Sequence, residues 1–400
     1  MNSLPSQPVV RLKPKKSPKR FRHGAPWIFA DEIVLDRRTK AIRPGTVVVV
    51  EDSDRNAFAT AAFNGSSRIV CRILELDGSA DIDADWIKTK LSLALSHRDH
   101  VFADPFYRLC HAEADGLPGL IIDRFGDTLV IQANSAWADA NLEMISAALN
   151  DLVEPGCIIK NASGRARGLE GLDDLSMVVL GDAPDTIPVR MNGAIYQADV
   201  LGGQKTGLFF DQRENHAFAA GLSKGGTVLD VFCHVGGFSL AMLAGGAKSA
   251  VAVDASAAAL DLARAGAKAS GFSDVFETIQ GDAVKAMQDM HQQGRLFDTV
   301  ICDPPAFAPR REALAAGLRG YERVAINAAK LVAPGGYLGL CSCSGAVDLA
   351  AFKTACVTGI GRAGRRAQLL HTGHAACDHP THPLLEETAY LKALFFRLTG

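Results

Sequence analysis

Residues 228–243 read VLDVFCHVGGFSLAML, and this stretch decides how the rest of the chain is interpreted. An apolar strand ends near Asp230, a turn carries Gly236 and Gly237, and an apolar helix follows. In a doubly wound sheet, such a crossover places backbone N–H groups and a helix N-terminus at the ligand-binding edge. The stretch therefore predicts an α/β domain with a small-molecule site at this turn.

The alternation of strands and helices continues on the C-terminal side of this stretch. Ala- and Leu-rich segments with helical spacing separate short apolar runs, which is typical of βαβ units on a parallel sheet. The candidate strands are Thr227 to Phe232, Ser249 to Asp254, Thr299 to Asp303 and Tyr337 to Cys341. We therefore expect a Rossmann-like α/β domain over residues 189–400.

The chain before residue 189 follows a different pattern. A length of 400 residues exceeds what one core usually supports, so more than one domain is expected. Short strands with polar turns between Val47 and Leu76 predict a small β-rich domain over residues 1–78. A helical stretch at residues 85–100, followed by further strands and an amphipathic segment, predicts an α+β central domain over residues 79–188.

Composition favours a folded protein without a membrane partner. Hydrophobic residues make up 48% of the chain and charged residues 22%, and no uncharged apolar run approaches the roughly 18 residues of a membrane span. The N-terminus lacks an apolar segment behind its charges, so a cytoplasmic location is expected. The nine cysteines are scattered without a CxxC pair, which favours reduced thiols.

Positive charge is concentrated at the N-terminus, although the net charge is only −2. Seven basic residues, Arg11 to Arg22, precede the first acid, Asp31. Such a run attracts phosphate and releases counterions, but it is also typical of a solvated tail. RNA is the partner that we expect here, and Lys15, Lys16 and Arg20 are the candidate contacts.

The acids at the strand ends indicate which cofactor the turn holds. The turn lacks the GxGxxG pattern, and Asp230 before it would repel a diphosphate but could hold the amino group of a methionine. Asp254 lies near the separation typical of a ribose-binding acid, and Asp282 could contact an adenine amino group. This series favours S-adenosylmethionine over NAD. The candidate contacts on these strand ends and turns are Asp230, Phe232, His234, Gly236, Gly237, Phe238, Asp254, Ala255, Ser256, Asp282, Ala283, Asp303 and Pro304.

Two further strand ends carry the candidate reacting groups. ICDPPAF at residues 301–307 predicts a rigid loop that presents Asp303 beside a flat base, with Pro305 and Phe307 against that base. CSCSG at residues 341–345 places a thiol at the end of the next strand. A thiolate that adds to carbon 6 of cytosine activates carbon 5 for methylation. Cys343 is the candidate nucleophile, and Asp303 would hydrogen-bond the base.

These segments resemble the RlmI-type class I S-adenosylmethionine-dependent methyltransferases, which modify carbon 5 of cytosine in large-subunit ribosomal RNA. The similar segments are HGAPWIFADEI at 23–33, RPGTVVVVED at 43–52, ADGLPGLIIDRFGD at 114–127, GQKTGLFFDQREN at 203–215, VLDVFCHVGGF at 228–238, CDPPAF at 302–307, RGYERVAINAAKLVAPGG at 319–336, SCSG at 342–345 and DHPTHPLLEETAYLK at 378–392.

The resemblance implies roles for several segments. It implies an N-terminal PUA RNA-binding domain and assigns the nucleophile to Cys343 rather than Cys341. It also implies that an entry segment packs over the cofactor or the target base, with Phe210, Gln212 and Arg213 toward the cofactor and Lys205 toward the base. The residues of this segment are Gln204, Lys205, Thr206, Phe210, Asp211, Gln212 and Arg213. DPPAFA lacks the further cysteine of other RNA cytosine-5 methyltransferases, so the base that removes the carbon 5 proton is unassigned.

Other interpretations stay open from the residues. DPP followed by an aromatic residue is also typical of purine nitrogen methyltransferases, in which Cys343 would have no catalytic part. An NAD-dependent oxidoreductase and a noncatalytic RNA-binding protein are further alternatives. The histidines between His371 and His382 have a spacing that could bind zinc, although we expect no metal. The sequence leaves a homodimer open.

Overall fold

The computed structural model describes residues 7–202 and 207–399. The chain divides into two compact units. The first contains Met1–Pro184 together with Pro380–Leu385, and the second contains Asp185–His379 together with Glu386–Gly400. Within the described residues, no helix has both the length and the apolar character needed to cross a membrane.

The first unit begins with a five-stranded sheet in the order β1-β3-β4-β5-β2. Alternating apolar residues of these strands pack around Phe21 and Phe58, which explains why short β-branched runs form strands here. The elements are β1 (Val9–Arg11), α1 (Lys19–Arg22), β2 (Trp27–Phe29), α2 (Arg37–Lys40), β3 (Thr46–Glu51), β4 (Ala57–Phe63) and β5 (Ile69–Glu75). The predicted β-rich segment is confirmed.

A second five-stranded sheet of the first unit has the order β10-β9-β8-β7-β6. Its core surrounds Trp137 and also includes Ala62 and Leu74 of the first sheet. The elements are α3 (Ala84–Val101), β6 (Phe106–His111), β7 (Leu120–Phe125), β8 (Thr128–Ala133), α4 (Ala136–Ala140), α5 (Leu142–Val153), β9 (Cys157–Lys160), α6 (Arg165–Leu169) and β10 (Met177–Leu180). The three-domain boundaries at residues 78 and 188 stay a prediction.

The second unit contains a hairpin and a seven-stranded sheet in the order β15-β14-β13-β16-β17-β19-β18. The elements are β11 (Ile187–Met191), β12 (Ala194–Ala198), α7 (Arg213–Leu222), β13 (Thr227–Val231), α8 (Gly237–Ala244), β14 (Ser249–Asp254), α9 (Ala257–Ala269), β15 (Phe276–Gln280), α10 (Ala283–Gln292), β16 (Phe297–Cys302), α11 (Leu314–Ala329), β17 (Val332–Ser342), α12 (Leu349–Arg362), β18 (Arg366–Gly373) and β19 (Lys392–Thr399).

The strand pairing of this sheet positions the candidate site. Strands β13 to β17 are parallel, whereas β19 is antiparallel to both β17 and β18. The strand order reverses around β13, and ligands bind at such a switch point outside the carboxyl ends of the strands. The expected Rossmann-like domain is confirmed, and the β18–β19 hairpin is an addition that the sequence did not predict.

Candidate functional site

The candidate residues converge because their strands end at the same level. Val231 pairs with Val253 on one side and with Cys302 on the other, and Cys302 pairs with Leu340. The residues that follow these positions therefore share one edge of the sheet. Asp254, Asp303 and the segment beginning at Cys341 lie at this edge together with the glycine turn.

The glycine turn has an unusual backbone. Phe232, His234 and Gly236 all have positive φ, at 64°, 50° and 84°. Such conformations are costly for residues with a Cβ and tend to occur at ligand sites. A Cβ at Gly237 would lie 2.8 Å from Nε2 of the buried His216, so that position requires glycine. The turn thus leads directly into the N-terminus of α8, and the predicted cofactor residue Phe238 is buried behind it.

Asp254 is held against the glycine turn. Its Oδ2 accepts the backbone N–H of His234 at 2.9 Å, and its Oδ1 accepts the N–H of Ser256 at 2.8 Å. The side chain is half-buried, and Ala255 and Ser256 are exposed beside it. A carboxylate that is oriented in this way has lone pairs left to accept hydroxyl protons, as a ribose would require.

Asp230 lies beneath the turn rather than on its surface. The carboxyl group is fully buried and accepts the backbone N–H of Ser239 at 2.8 Å. Burial raises the pKa of Asp230 to about 7, opposed by its hydrogen bonds to Ser239. In this position Asp230 supports the start of α8, and the direct contact with a methionine amino group stays a prediction.

Asp282 and Ala283 mark the start of α10 at the same edge of the sheet. Asp282 is exposed and caps the helix by accepting the N–H of Lys285 at 2.8 Å, while Ala283 is buried. Gln280, the last residue of β15, pairs with Asp254, so Asp282 comes two residues after the position opposite Asp254. A contact of Asp282 with adenine stays a prediction.

Asp303 is positioned by a chain of side-chain amides. Gln212 donates its Nε2 hydrogen to Asp303 Oδ2 at 2.9 Å, and Asn215 donates to Gln212 Oε1 at 2.7 Å. Asn215 also donates to the carbonyl of His374 at 3.1 Å. Gln212 and Asn215 are buried, whereas Asp303 is half-buried. Gln212, which we predicted as a cofactor contact, therefore lies directly against the predicted base-binding carboxylate.

The two cysteines of CSCSG have different surroundings. Strand β17 ends at Ser342, so Cys341 is within the strand and Cys343 follows it. Cys341 is buried in the apolar core, whereas Cys343 is half-buried. Of these two thiols, only Cys343 has the exposure that a nucleophile needs.

A hydroxyl network fixes the loop on both sides of Cys343. The Tyr321 hydroxyl lies 2.8 Å from Ser342 Oγ and 2.7 Å from Ser344 Oγ. Ser344 Oγ also accepts the backbone N–H of Ala308 at 3.1 Å, which joins this loop to the DPPAFA segment. All three hydroxyl groups are buried, so the network holds the thiol loop relative to Asp303.

The remaining residues of the predicted base and cofactor pocket differ in exposure. Pro304 is buried and Pro305 is exposed, while Phe307 packs against Tyr321 with ring centroids 4.9 Å apart. Phe210 is buried under the Arg213 guanidinium, which lies 5.5 Å from the ring centroid. Burial lowers the pKa of Arg213, and nearby acids including Asp378 oppose this. Stacking of Phe307 on a base stays a prediction.

The predicted RNA contacts lie in the first unit or outside the described residues. Lys16 pairs with Asp31 at 3.2 Å, Arg20 pairs with Glu32, and Lys15 is exposed. These basic residues belong to an ordered segment with β1 and α1, not to a tail, and two of their charges have acidic partners. Gln204, Lys205 and Thr206 lie outside the described residues.

Two of the histidines between His371 and His382 contact neighbouring side chains. His371 stacks on Phe218 at 4.3 Å, and His379 Nδ1 lies 2.8 Å from Asp378 Oδ1. Over residues 7–202 and 207–399, no group of three potential metal ligands is close enough to hold an ion.

Three residues at the site were not singled out from the sequence. Asn215 and Tyr321 act through hydrogen bonds to distant segments, and Lys392 is a buried cation at the start of β19. All three lie in segments that carried the family resemblance, DQREN, RGYERV and AYLK, and that membership is the one signal that could have identified them.

Comparisons with known proteins agree with this geometry. Residues 171–397 match the model of the S-adenosylmethionine-dependent methyltransferase family, and residues 10–76 match a PUA-like domain. Ribosomal RNA large subunit methyltransferase I of Aeromonas hydrophila is 36% identical over 399 residues, which cover 98% of this chain and 99% of that protein. The protein of the same name from Photobacterium profundum is 35% identical, over 96% and 97% of the two chains.

Solved structures show a similar architecture. A putative SAM-dependent methyltransferase from Streptococcus mutans has a TM-score of 0.81 and 18% identity, covering 98% of this chain and 100% of that one. A putative methyltransferase complexed with SAH has a TM-score of 0.82 with the same identity and coverage. These similarities extend over both units of the chain and establish its fold.

Proposed function

We infer the function from a premise that the comparisons give: this chain belongs to the S-adenosylmethionine-dependent methyltransferase family that includes ribosomal RNA large subunit methyltransferase I. We propose that it methylates carbon 5 of a cytosine in large-subunit ribosomal RNA. The observation that carries this proposal is the half-buried Cys343 directly after β17, whose neighbouring strand β16 is directly followed by Asp303. A thiol and a carboxylate at the same edge as the cofactor turn are the groups that pyrimidine carbon methylation needs.

The described residues fit S-adenosylmethionine, which is the methyl donor of this family. The turn has a left-handed backbone at Phe232, His234 and Gly236, a conformation that tends to occur at ligand sites. Asp254 offers an oriented carboxylate for the ribose. S-adenosylmethionine, when bound, supplies the methyl group that carbon 5 receives. We propose the other strand-end residues as further contacts, with Asp230 acting through the turn that it supports.

The reaction begins with the Cys343 thiolate, which forms a bond to carbon 6 of the cytosine. The electron pair of the carbon 5–carbon 6 bond then becomes available at carbon 5, which takes the methyl group. Asp303, oriented by Gln212, hydrogen-bonds N3 or the exocyclic amine and so stabilises the adduct. A base then removes the carbon 5 proton, the double bond forms again, and the carbon–sulfur bond breaks to return the thiolate.

RNA binding is the second part of the proposal. The segment matching a PUA-like domain contains Lys15, Lys16 and Arg20, which we propose as phosphate contacts, and Lys205 as a contact near the target base. With domains at 1–78, 79–188 and 189–400, the first domain would contribute RNA affinity and the last would carry out catalysis. A ribosomal RNA substrate would also account for a cytoplasmic location, and a homodimer stays open.

Product analysis tests this function. Large-subunit ribosomal RNA lacking the modification is incubated with enzyme and S-adenosylmethionine, and its nucleosides are identified by mass spectrometry. Wild type and Cys341→Ala should form 5-methylcytidine, whereas Cys343→Ala should form none while binding S-adenosylmethionine normally. A methylated purine nitrogen formed by Cys343→Ala would contradict the proposal and favour the DPPAF loop as an amino-group methylation site.

A further inference from the structure

Lys392 is a buried cation next to the candidate nucleophile. Only 5% of its surface is exposed, whereas lysine is seldom buried unless its charge has partners. Lys392 is the first residue of β19 and pairs across the sheet with Ser342, the last residue of β17. Because Cys343 directly follows Ser342, the strand pairing brings the lysine side chain to the thiol loop.

The Lys392 ammonium is fixed beneath this loop by two hydrogen bonds. Nζ donates to the Ser344 carbonyl at 2.9 Å and to the Val347 carbonyl at 2.7 Å. An ammonium has three N–H donors, so these two bonds leave a third. The hydroxyl network of Tyr321 holds Ser342 and Ser344 in place, and Cys343 is therefore fixed between two restrained neighbours beside a fixed positive charge.

Charged and titratable groups on β19, on α11 and just before α12 interact with Cys343 or with Lys392. Burial lowers the pKa of Lys392, while Cys343 and then Asp348, before α12, act to raise it. From α11, Tyr321 interacts with Cys343, and burial raises the pKa of its hydroxyl group, which keeps it neutral. Of these three groups, Lys392 carries the positive charge that favours a negative charge on Cys343.

We propose that Lys392 is a positioning residue that holds Cys343 as a thiolate before attack and stabilises the thiolate again when it leaves. The inference rests on the proposed function, in which Cys343 is the nucleophile. The thiol proton passes to solvent, and the sulfur keeps the electron pair that forms the bond to carbon 6. At elimination the same pair returns to sulfur beside the ammonium, and a stabilised thiolate is the better leaving group.

The pH dependence of Cys343 alkylation tests this role without a measurement of methylation. The full-length protein is treated with iodoacetamide from pH 5 to pH 10, and modification of Cys343 is located by fragment mass spectrometry. Wild type should show a midpoint below the ordinary thiol value of about 8.5. Lys392→Gln keeps hydrogen-bond donors but removes the charge, and it should raise the midpoint by about one to three pH units.

Two variants serve as comparisons. Lys392→Arg keeps a positive charge and should retain a midpoint closer to wild type than Lys392→Gln does. Lys160→Gln removes a lysine that is similarly buried, at 7% exposure, but pairs with Asp139 in the first unit. Its Cys343 midpoint should equal that of wild type, which separates the local charge from a general loss of stability.

Either of two results would overturn the inference. One is a midpoint of Cys343 alkylation at or above about 8.5 in wild type. This measurement does not depend on whether a variant folds. The other is a folded Lys392→Gln protein, with normal Tm and S-adenosylmethionine affinity, whose midpoint equals that of wild type. Failure of the proposed function alone would give a different pattern. The midpoint of Cys343 alkylation would still depend on Lys392, but wild-type enzyme would form no 5-methylcytidine.

Discussion

Replacement of Asp254 tests the cofactor site most quantitatively. Asp254→Ala removes the proposed ribose acceptor and also releases the N–H groups of His234 and Ser256, which the carboxylate accepts at 2.9 and 2.8 Å. Hydrogen bonds to a charged group contribute about 1.5–3 kcal/mol each. Water replaces part of the lost bonding because the side chain is half-buried. We expect a loss of about 2–3 kcal/mol in binding, or roughly 30- to 150-fold in Kd.

Isothermal titration calorimetry with S-adenosylmethionine measures this loss. Asp83→Ala is the matched control, because Asp83 also accepts a backbone N–H, that of Trp86 at 2.9 Å, at the start of α3 in the first unit. It should lower stability by about 1 kcal/mol without changing Kd. A Kd for Asp254→Ala within threefold of wild type would refute the ribose assignment, and tighter binding of NADH than of S-adenosylmethionine would refute the cofactor site.

Three further predictions follow from the same geometry. Tyr321→Phe leaves the buried Ser342 and Ser344 hydroxyls without their shared partner, so kcat should fall about tenfold or more with little change in cofactor Kd. If kcat of this variant equals that of wild type, the network does not position Cys343. Burial raises the pKa of Asp230 to about 7. The contribution of this group to the free energy of unfolding of wild type therefore decreases as pH rises from about 4 to about 7. Asp230→Asn should therefore gain Tm over wild type with rising pH across that window, and a Tm difference that is independent of pH would contradict the assignment. RNA binding should weaken when the four basic residues Lys15, Lys16, Lys19 and Arg20 are neutralised. The slope of log K against log salt concentration should become shallower by about 0.7–0.9 for each phosphate that the protein no longer neutralises. An unchanged slope in filter-binding assays would exclude this segment from the RNA interface.

The parallel part of the sheet was predictable because its signals are local. Strands β13, β14 and β16 are apolar runs that end in an acid or a glycine turn, and period and turn chemistry identify such runs. The β18–β19 hairpin was not predicted. Most residues of β18 are exposed, so Arg366–Gly373 lacks the apolar pattern of a buried strand.

The site was predictable where one motif carries it and not where distant segments meet. Asp254 ends its own strand, and Asp303 and Cys343 directly follow theirs, so their placement at one edge follows from the topology. The contact of Gln212 with Asp303 joins residues 91 positions apart, and the contact of Lys392 with the thiol loop depends on an antiparallel strand pair. No local pattern encodes such contacts.

The N-terminal charges illustrate a further limit of local patterns. The run from Arg11 to Arg22 contains no acid, yet the fold brings Asp31 and Glu32 against Lys16 and Arg20. These pairs reduce the positive charge that the segment offers to phosphate. We therefore expect Lys15 to contribute more to RNA affinity than Lys16 or Arg20.

Covalent trapping tests the central claim most directly. RNA that carries 5-fluorocytosine at the target position cannot lose fluorine as it would lose a proton, so the enzyme should remain bonded to carbon 6 after methyl transfer. Wild type and Cys341→Ala should give an adduct that survives denaturing electrophoresis, and mass spectrometry should locate it on Cys343. An adduct formed by Cys343→Ala, or active wild-type enzyme that forms none, would contradict the covalent mechanism.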